Sequence, residues 1–167
     1  MAVVIPGIGD WIRYKGDPMS MNDFSGPDDV RARFHLALPV RDLDAAARFY
    51  GDVLGCTRGR QAAHWIDWNL GGHQVVTHVV DGWTGVSGSN PVDGSDVPVP
   101  HFGLLLRPDA WQALADRLVA NDVEFVIEPT VRFRGEVGEQ RTMFFLDPSG
   151  NALEFKSFAD DDQVFAT

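Results

Sequence analysis

Apolar and polar positions along this chain follow a pattern that occurs twice. Phe34–Val40 (FHLALPV) is an apolar run with a histidine near its start, which reads as a strand. Asp42 follows as a helix N-cap. Leu43, Ala46, Ala47, Phe49, Tyr50, Val53 and Leu54 then recur at helical spacing, and Gly55 stops the helix. Trp65–Leu70 and Gln74–Val80 read as two strands joined through Gly71-Gly72. The order then restarts. Pro100–Leu106 (PHFGLLL) is again an apolar strand opening on a histidine, and Asp109 caps a second helix with Trp111, Leu114, Ala115, Leu118 and Val119 on one face. Val123–Ile127, Thr142–Leu146 and Ala152–Phe158 read as strands. Between the last two, Asp147-Pro148-Ser149-Gly150-Asn151 is a turn, since proline presets φ and glycine or asparagine accepts positive φ. The unit β-α-β-β-(β) thus repeats, His35 and His101 standing 66 positions apart.

The repeat sets the domain organisation. One domain, 34–158, is made of modules 34–80 and 100–158, joined by the Gly-, Ser- and Pro-rich linker 81–99. Residues 1–33 form an N-terminal extension, and 159–167 an acidic tail. Met19 and Met21 are candidate starts that would leave 1–18 outside the native protein. The competing reading makes the extension an arm that packs through Trp11, Ile12 and Tyr14.

Charge narrows the partners. The chain carries a formal charge of −10, with 24 acidic and 14 basic residues. That balance argues against binding a phosphate backbone, which calls for clustered Lys and Arg, so no nucleic-acid partner is expected. No apolar run approaches the ~18 residues that a membrane span needs. The N-terminus lacks a basic region followed by an apolar one, so no signal peptide is read. A single cysteine, Cys56, allows no intrachain disulfide, and a reducing, cytoplasmic setting is expected.

Candidate chemistry lies on the repeated strands. His35 and His101 occupy equivalent places in apolar runs, where an imidazole needs a partner. Glu154 stands between Leu153 and Phe155 in the last strand, and His78 lies in the corresponding strand of the first module. Two imidazoles and one carboxylate converging on one point make a facial metal site with open coordination positions for water, oxygen or substrate. Gln74, Thr142 and Phe144 share the inward parity and are candidate substrate-binding residues. His73 follows a Gly-Gly turn and reads as solvated, while His64 borders a strand at the mouth or the surface. Cys56 has no base beside it and reads as an inert thiol. The charged stretch 132–141 reads as a solvated hairpin tip, or as a lid bringing Arg132 or Arg134 to an anionic substrate.

The words FHLALPVRDLDAAARFYGDVLG and MFFLDPSGNALEFK resemble the vicinal oxygen chelate superfamily, which holds glyoxalase I, extradiol dioxygenases, fosfomycin-resistance proteins and bleomycin-binding proteins. The resemblance covers residues 34–158. It implies an α+β fold of two βαβββ modules pairing into a curled mixed-sheet half-barrel around a metal site. Carried over by position, it assigns His35, His101 and Glu154 as metal ligands. It gives His78 the place of either a fourth ligand or an acid–base group. Ring-cleaving members commonly place a tyrosine ten residues before the glutamate. This chain has Phe144 there, which has no hydroxyl to donate. The function implied is a metal-dependent enzyme acting on a small substrate held through vicinal oxygens. A dioxygenase with Fe(II) is favoured. The alternatives are a glyoxalase-like isomerase or lyase using Mn, Ni, Co or Zn, and a non-catalytic drug- or metabolite-binding protein. A homodimer is expected, with the modules pairing either within the chain or by exchange across the dimer.

Overall fold

Among the described residues the repeated order of strands and helices appears with three further strands, and each module closes on its own four-stranded sheet. The computed structural model describes residues 33–92 and 94–165, and the account below concerns the unit that begins at Phe34. The expectations for the N-terminal extension lie outside the described residues.

In the first module, β1 (His35–Val40) leads into α1 (Leu43–Ala46), which continues as a π-helical turn, Ala47–Val53. Asp42 caps this helix, its carboxylate accepting the Ala45 N–H at 2.6 Å. The wider turn shows in the Leu54 N–H, which reaches back five residues to the Phe49 carbonyl. Gly55, at φ +77°, ends it. Then come β2 (Thr57–Ala62), β3 (Trp65–Leu70) and β4 (His73–Val79). The sheet order is β1-β4-β3-β2, with β1 and β4 parallel and the other pairs antiparallel. β2 (TRGRQA), exposed throughout, has no apolar alternation to announce it; backbone pairing at the sheet edge makes it a strand.

The segment 81–99, read as a linker, contains a hairpin of β5 (Gly88–Val92) and β6 (Ser95–Val99). The second module repeats the first, with β7 (His101–Phe102), α2 (Pro108–Ala120), β8 (Phe125–Arg132), β9 (Gln140–Leu146) and β10 (Ala152–Phe158), in the order β7-β10-β9-β8. Asp109 is not the N-cap of α2. Arg107 takes that place with no side-chain cap bond, because Pro108, preset for the first helical turn, starts the helix two residues earlier. Beyond β10, Asp161–Phe165 forms a short 3-10 turn.

Alternation along each strand divides the sheets into two faces. Leu36, Leu38, Val40 and Val75 of the first module, and Leu104, Met143, Phe145, Leu153 and Phe155 of the second, meet one core with Phe49, Tyr50, Trp68, Trp111 and Leu118. Tyr50 stacks on Trp68 at 5.9 Å, and Phe49 meets Phe145 across the modules at 6.2 Å. The strand residues between these point to the other face, where the candidate chemistry lies. Among the described residues no helix is long and apolar enough to cross a membrane.

Candidate metal centre

The second module brings two predicted ligands together. β7 and β10 run parallel with His101 opposite Ala152, so Gly103 comes alongside Glu154. A side chain at Gly103 would collide with the Glu154 carbonyl oxygen, 1.6 Å from an ideal Cβ, so only glycine permits this approach. The His101 Nε2 then lies 3.2 Å from Glu154 Oε2. The other ring nitrogen, Nδ1, is 2.7 Å from the Pro98 carbonyl oxygen. That oxygen can only accept, so Nδ1 carries a proton, and Nε2 is the nitrogen turned toward Glu154. The ring is also braced by Phe144, edge-on at 5.0 Å.

Glu154 is only 7% exposed. Its Oε1 accepts the Thr142 hydroxyl at 2.7 Å, and its Oε2 lies 3.3 Å from Lys156 Nζ. The antiparallel register explains both contacts. Phe144 is directly across from Glu154, and Thr142 directly across from Lys156, on the same face. Thr142 thus holds the carboxylate and Phe144 walls the imidazole.

In the first module His35 is exposed, and its Nδ1 is 2.8 Å from Gln74 Oε1, its neighbour in the parallel register. Gln74 therefore orients His35, leaving Nε2 directed away from that bond. Each candidate imidazole has its Nδ1 tied to a carbonyl oxygen, as in metal-binding histidines whose second nitrogen is fixed by a hydrogen bond. The registers also relocate His78. His101 pairs with Ala152 and Glu154 lies two residues further; His35 pairs with Gln74, and two residues further is Val76. Val76, buried and apolar, occupies the place symmetric with Glu154. His78 lies one pleat beyond, opposite Pro39 and exposed, and its symmetric counterpart is Lys156.

His101 meets Glu154, His35 meets Gln74, and among the described residues no group of three His, Cys, Asp or Glu side chains is placed to hold a metal ion. A cavity of about 230 Å³ lies beside His101, lined also by Ala37, Pro39, Trp83, Val86 and Ala152.

The remaining candidates have other roles. His73 is not merely a solvated turn residue: it opens β4, and its Nδ1 accepts the Phe34 N–H at 3.1 Å, tying down the start of β1. His64 is exposed in the β2–β3 turn. Cys56 is buried, and burial pushes its thiol up to about 11, which keeps it protonated and unreactive at neutral pH. Arg132 donates to the Val92 carbonyl oxygen of the hairpin. Sequence reasoning passed over Lys156, although its position two residues after Glu154 placed it on the same face.

A family model described as the glyoxalase/bleomycin resistance protein/dioxygenase superfamily matches residues 33–155. Among solved structures, a glyoxalase/bleomycin resistance protein/dioxygenase from Alicyclobacillus acidocaldarius is 34% identical, with a TM-score of 0.69, and the match covers 80% of this chain and 96% of that one. A fosfomycin resistance protein from Listeria monocytogenes is similar in fold at 14% identity and TM-score 0.60, covering 81% of this chain and 99% of that one. A lactoylglutathione lyase from Agrobacterium tumefaciens is similar in fold at 19% identity and TM-score 0.56, covering 81% and 97%.

Proposed function

The chain belongs to the glyoxalase/bleomycin resistance protein/dioxygenase superfamily, and from that premise we propose that it is a metal-dependent enzyme acting on a small molecule bound through two neighbouring oxygens. The observation that carries this reading is the meeting of His101 Nε2 and Glu154 Oε2 at 3.2 Å. With Nδ1 donating to Pro98, His101 turns its other ring nitrogen toward a buried carboxylate oxygen. An imidazole nitrogen converging with a carboxylate oxygen suits a divalent transition metal.

His101 and Glu154 would hold the metal from one module, and His35, oriented by Gln74, would supply the third ligand. Where the modules pair by exchange across a homodimer, His35 would come from the second copy. When bound, such a metal supplies a Lewis acid that polarises substrate oxygens. The chain's own residues do the rest. Thr142 would fix the carboxylate, Phe144 would exclude water from one side of His101, and His78 would take or return a proton.

The donor set of two histidines and one carboxylate favours Fe(II) and dioxygenase chemistry. Phe144, which lacks a hydroxyl, favours the second reading, an isomerase or lyase using Mn, Ni, Co or Zn. Metal content of anaerobically purified protein, compared with His101→Ala and Glu154→Gln, tests the shared core of both. Loss of metal in both variants is expected, and metal retained in both would overturn the assignment. Oxygen uptake across a panel of catechols supports the dioxygenase. Silence there, with turnover of hemithioacetals, supports the isomerase.

A further inference from the structure

Lys156 has a role that its partners define. Its backbone N–H donates to the Leu104 carbonyl and its own carbonyl accepts the Leu106 N–H, which fixes its side chain on the face of Glu154. Its ammonium lies 3.3 Å from Glu154 Oε2, the same oxygen that faces His101 Nε2 at 3.2 Å. The carboxylate is buried, whereas the lysine side chain is about one-third exposed. The symmetric position in the first module holds His78, so both modules put a basic side chain at this level of the site face.

A divalent cation on Glu154 Oε2 and an ammonium 3.3 Å from that oxygen repel one another, so both do not hold it together. Lysine is a compact charge on a flexible four-carbon stem, and it can swing off the oxygen while its backbone stays fixed. We propose, on the metalloenzyme reading above, that Lys156 is an exchangeable counter-ion. It neutralises Glu154 in the metal-free protein, is displaced from Oε2 by the metal, and then pairs with an anionic oxygen of the substrate. The substrate is therefore an acid, carrying a carboxylate, phosphonate or phosphate group beside its metal-chelating oxygens. Lys156 would decide specificity, not catalysis.

The test uses Mn²⁺ and inorganic phosphate as probes, with wild type, Lys156→Met, Lys156→Arg and Glu154→Gln, each checked for native circular dichroism. By calorimetry, Lys156→Met binds Mn²⁺ roughly tenfold tighter than wild type, because the competing cation is gone, and Lys156→Arg stays near wild type. Phosphate perturbs the Mn²⁺ electron paramagnetic resonance of loaded wild type and of Lys156→Arg. In loaded Lys156→Met its affinity falls by roughly tenfold. Mn²⁺ affinity unchanged or weaker in Lys156→Met, or phosphate bound equally with and without the lysine, overturns the proposal. If wild type itself fails to bind Mn²⁺, the metalloenzyme reading falls and this proposal with it. If wild type binds, Glu154→Gln does not, and Lys156→Met matches wild type, only the role of Lys156 falls.

Discussion

Cys56 sits just past the end of the first helix with its thiol inside the core, and burial alone pushes its pKa from 9.0 to about 11. A thiol kept protonated by the fold stabilises it fully below pH 9, and that contribution is lost as pH rises through about 11. The two-unit difference is worth about 2 to 3 kcal/mol. Tyr50 adds to the same slope, its hydroxyl raised well above the ordinary range by burial and then by Asp147. Urea unfolding from pH 8 to about 11 should therefore show falling stability, and Cys56→Ala should flatten part of the fall. A slope identical in that variant would mean that the thiol is solvated. At this scale the candidate histidines, Glu154 and the inertness of Cys56 were legible from residue type and neighbours. The roles of Gln74 and Lys156 were not, because each is defined by an atom on another side chain.

The turn between β9 and β10 shows how an element carries information from one module to the other. Asp147 accepts the N–H groups of Ser149 and Asn151 and the Asn151 side-chain amide, each at 2.8 Å, and the Tyr50 hydroxyl at 2.9 Å. Asn151 also donates to the Pro39 carbonyl and Ser149 accepts the Arg41 N–H, so this turn locks the end of β1. The Arg41 guanidinium adds a bond to the Pro148 carbonyl. Replacing Asp147 by Asn puts an amide among these donors and should cost roughly 2 to 4 kcal/mol in urea unfolding. Tyr50→Phe should cost less and should be non-additive with it, since the two share a bond; full additivity would show that the hydroxyl and carboxylate act independently. The turn itself was legible, because proline, glycine and asparagine dictate local φ. So was the Asp42 cap. β2 and the β5–β6 hairpin were not, since polar edge strands exist through pairing with a neighbour, not through their own periodicity.

At the scale of the molecule, the candidate ligands are divided between the modules. The second holds His101 with Glu154, and the first holds His35 with Gln74. If a homodimer joins them, purified His35→Ala and His101→Ala chains should each lack high-affinity metal binding. Unfolded together and refolded as a mixture, they should regain it, because one of the two sites in a mixed dimer then has all its ligands. Restored metal binding, read by Mn²⁺ calorimetry on the mixed species, is the expected result. No recovery despite a mixed dimer in light scattering would place all three ligands within one chain in solution.

The sequence by itself determined the repeated modules, the two faces of the strands that carry the site, the family and the candidate residue types. These follow from alternation, capping and turn chemistry, all of which act over a few residues. Only the tertiary structure decided which residues meet. Strand register puts Val76, not His78, in the place symmetric with Glu154, sets Gln74 against His35, and brings the Lys156 ammonium to the Glu154 carboxylate. Register and packing are settled by pairing between distant segments, where a shift of one residue turns every side chain to the opposite face and no local pattern can reveal it.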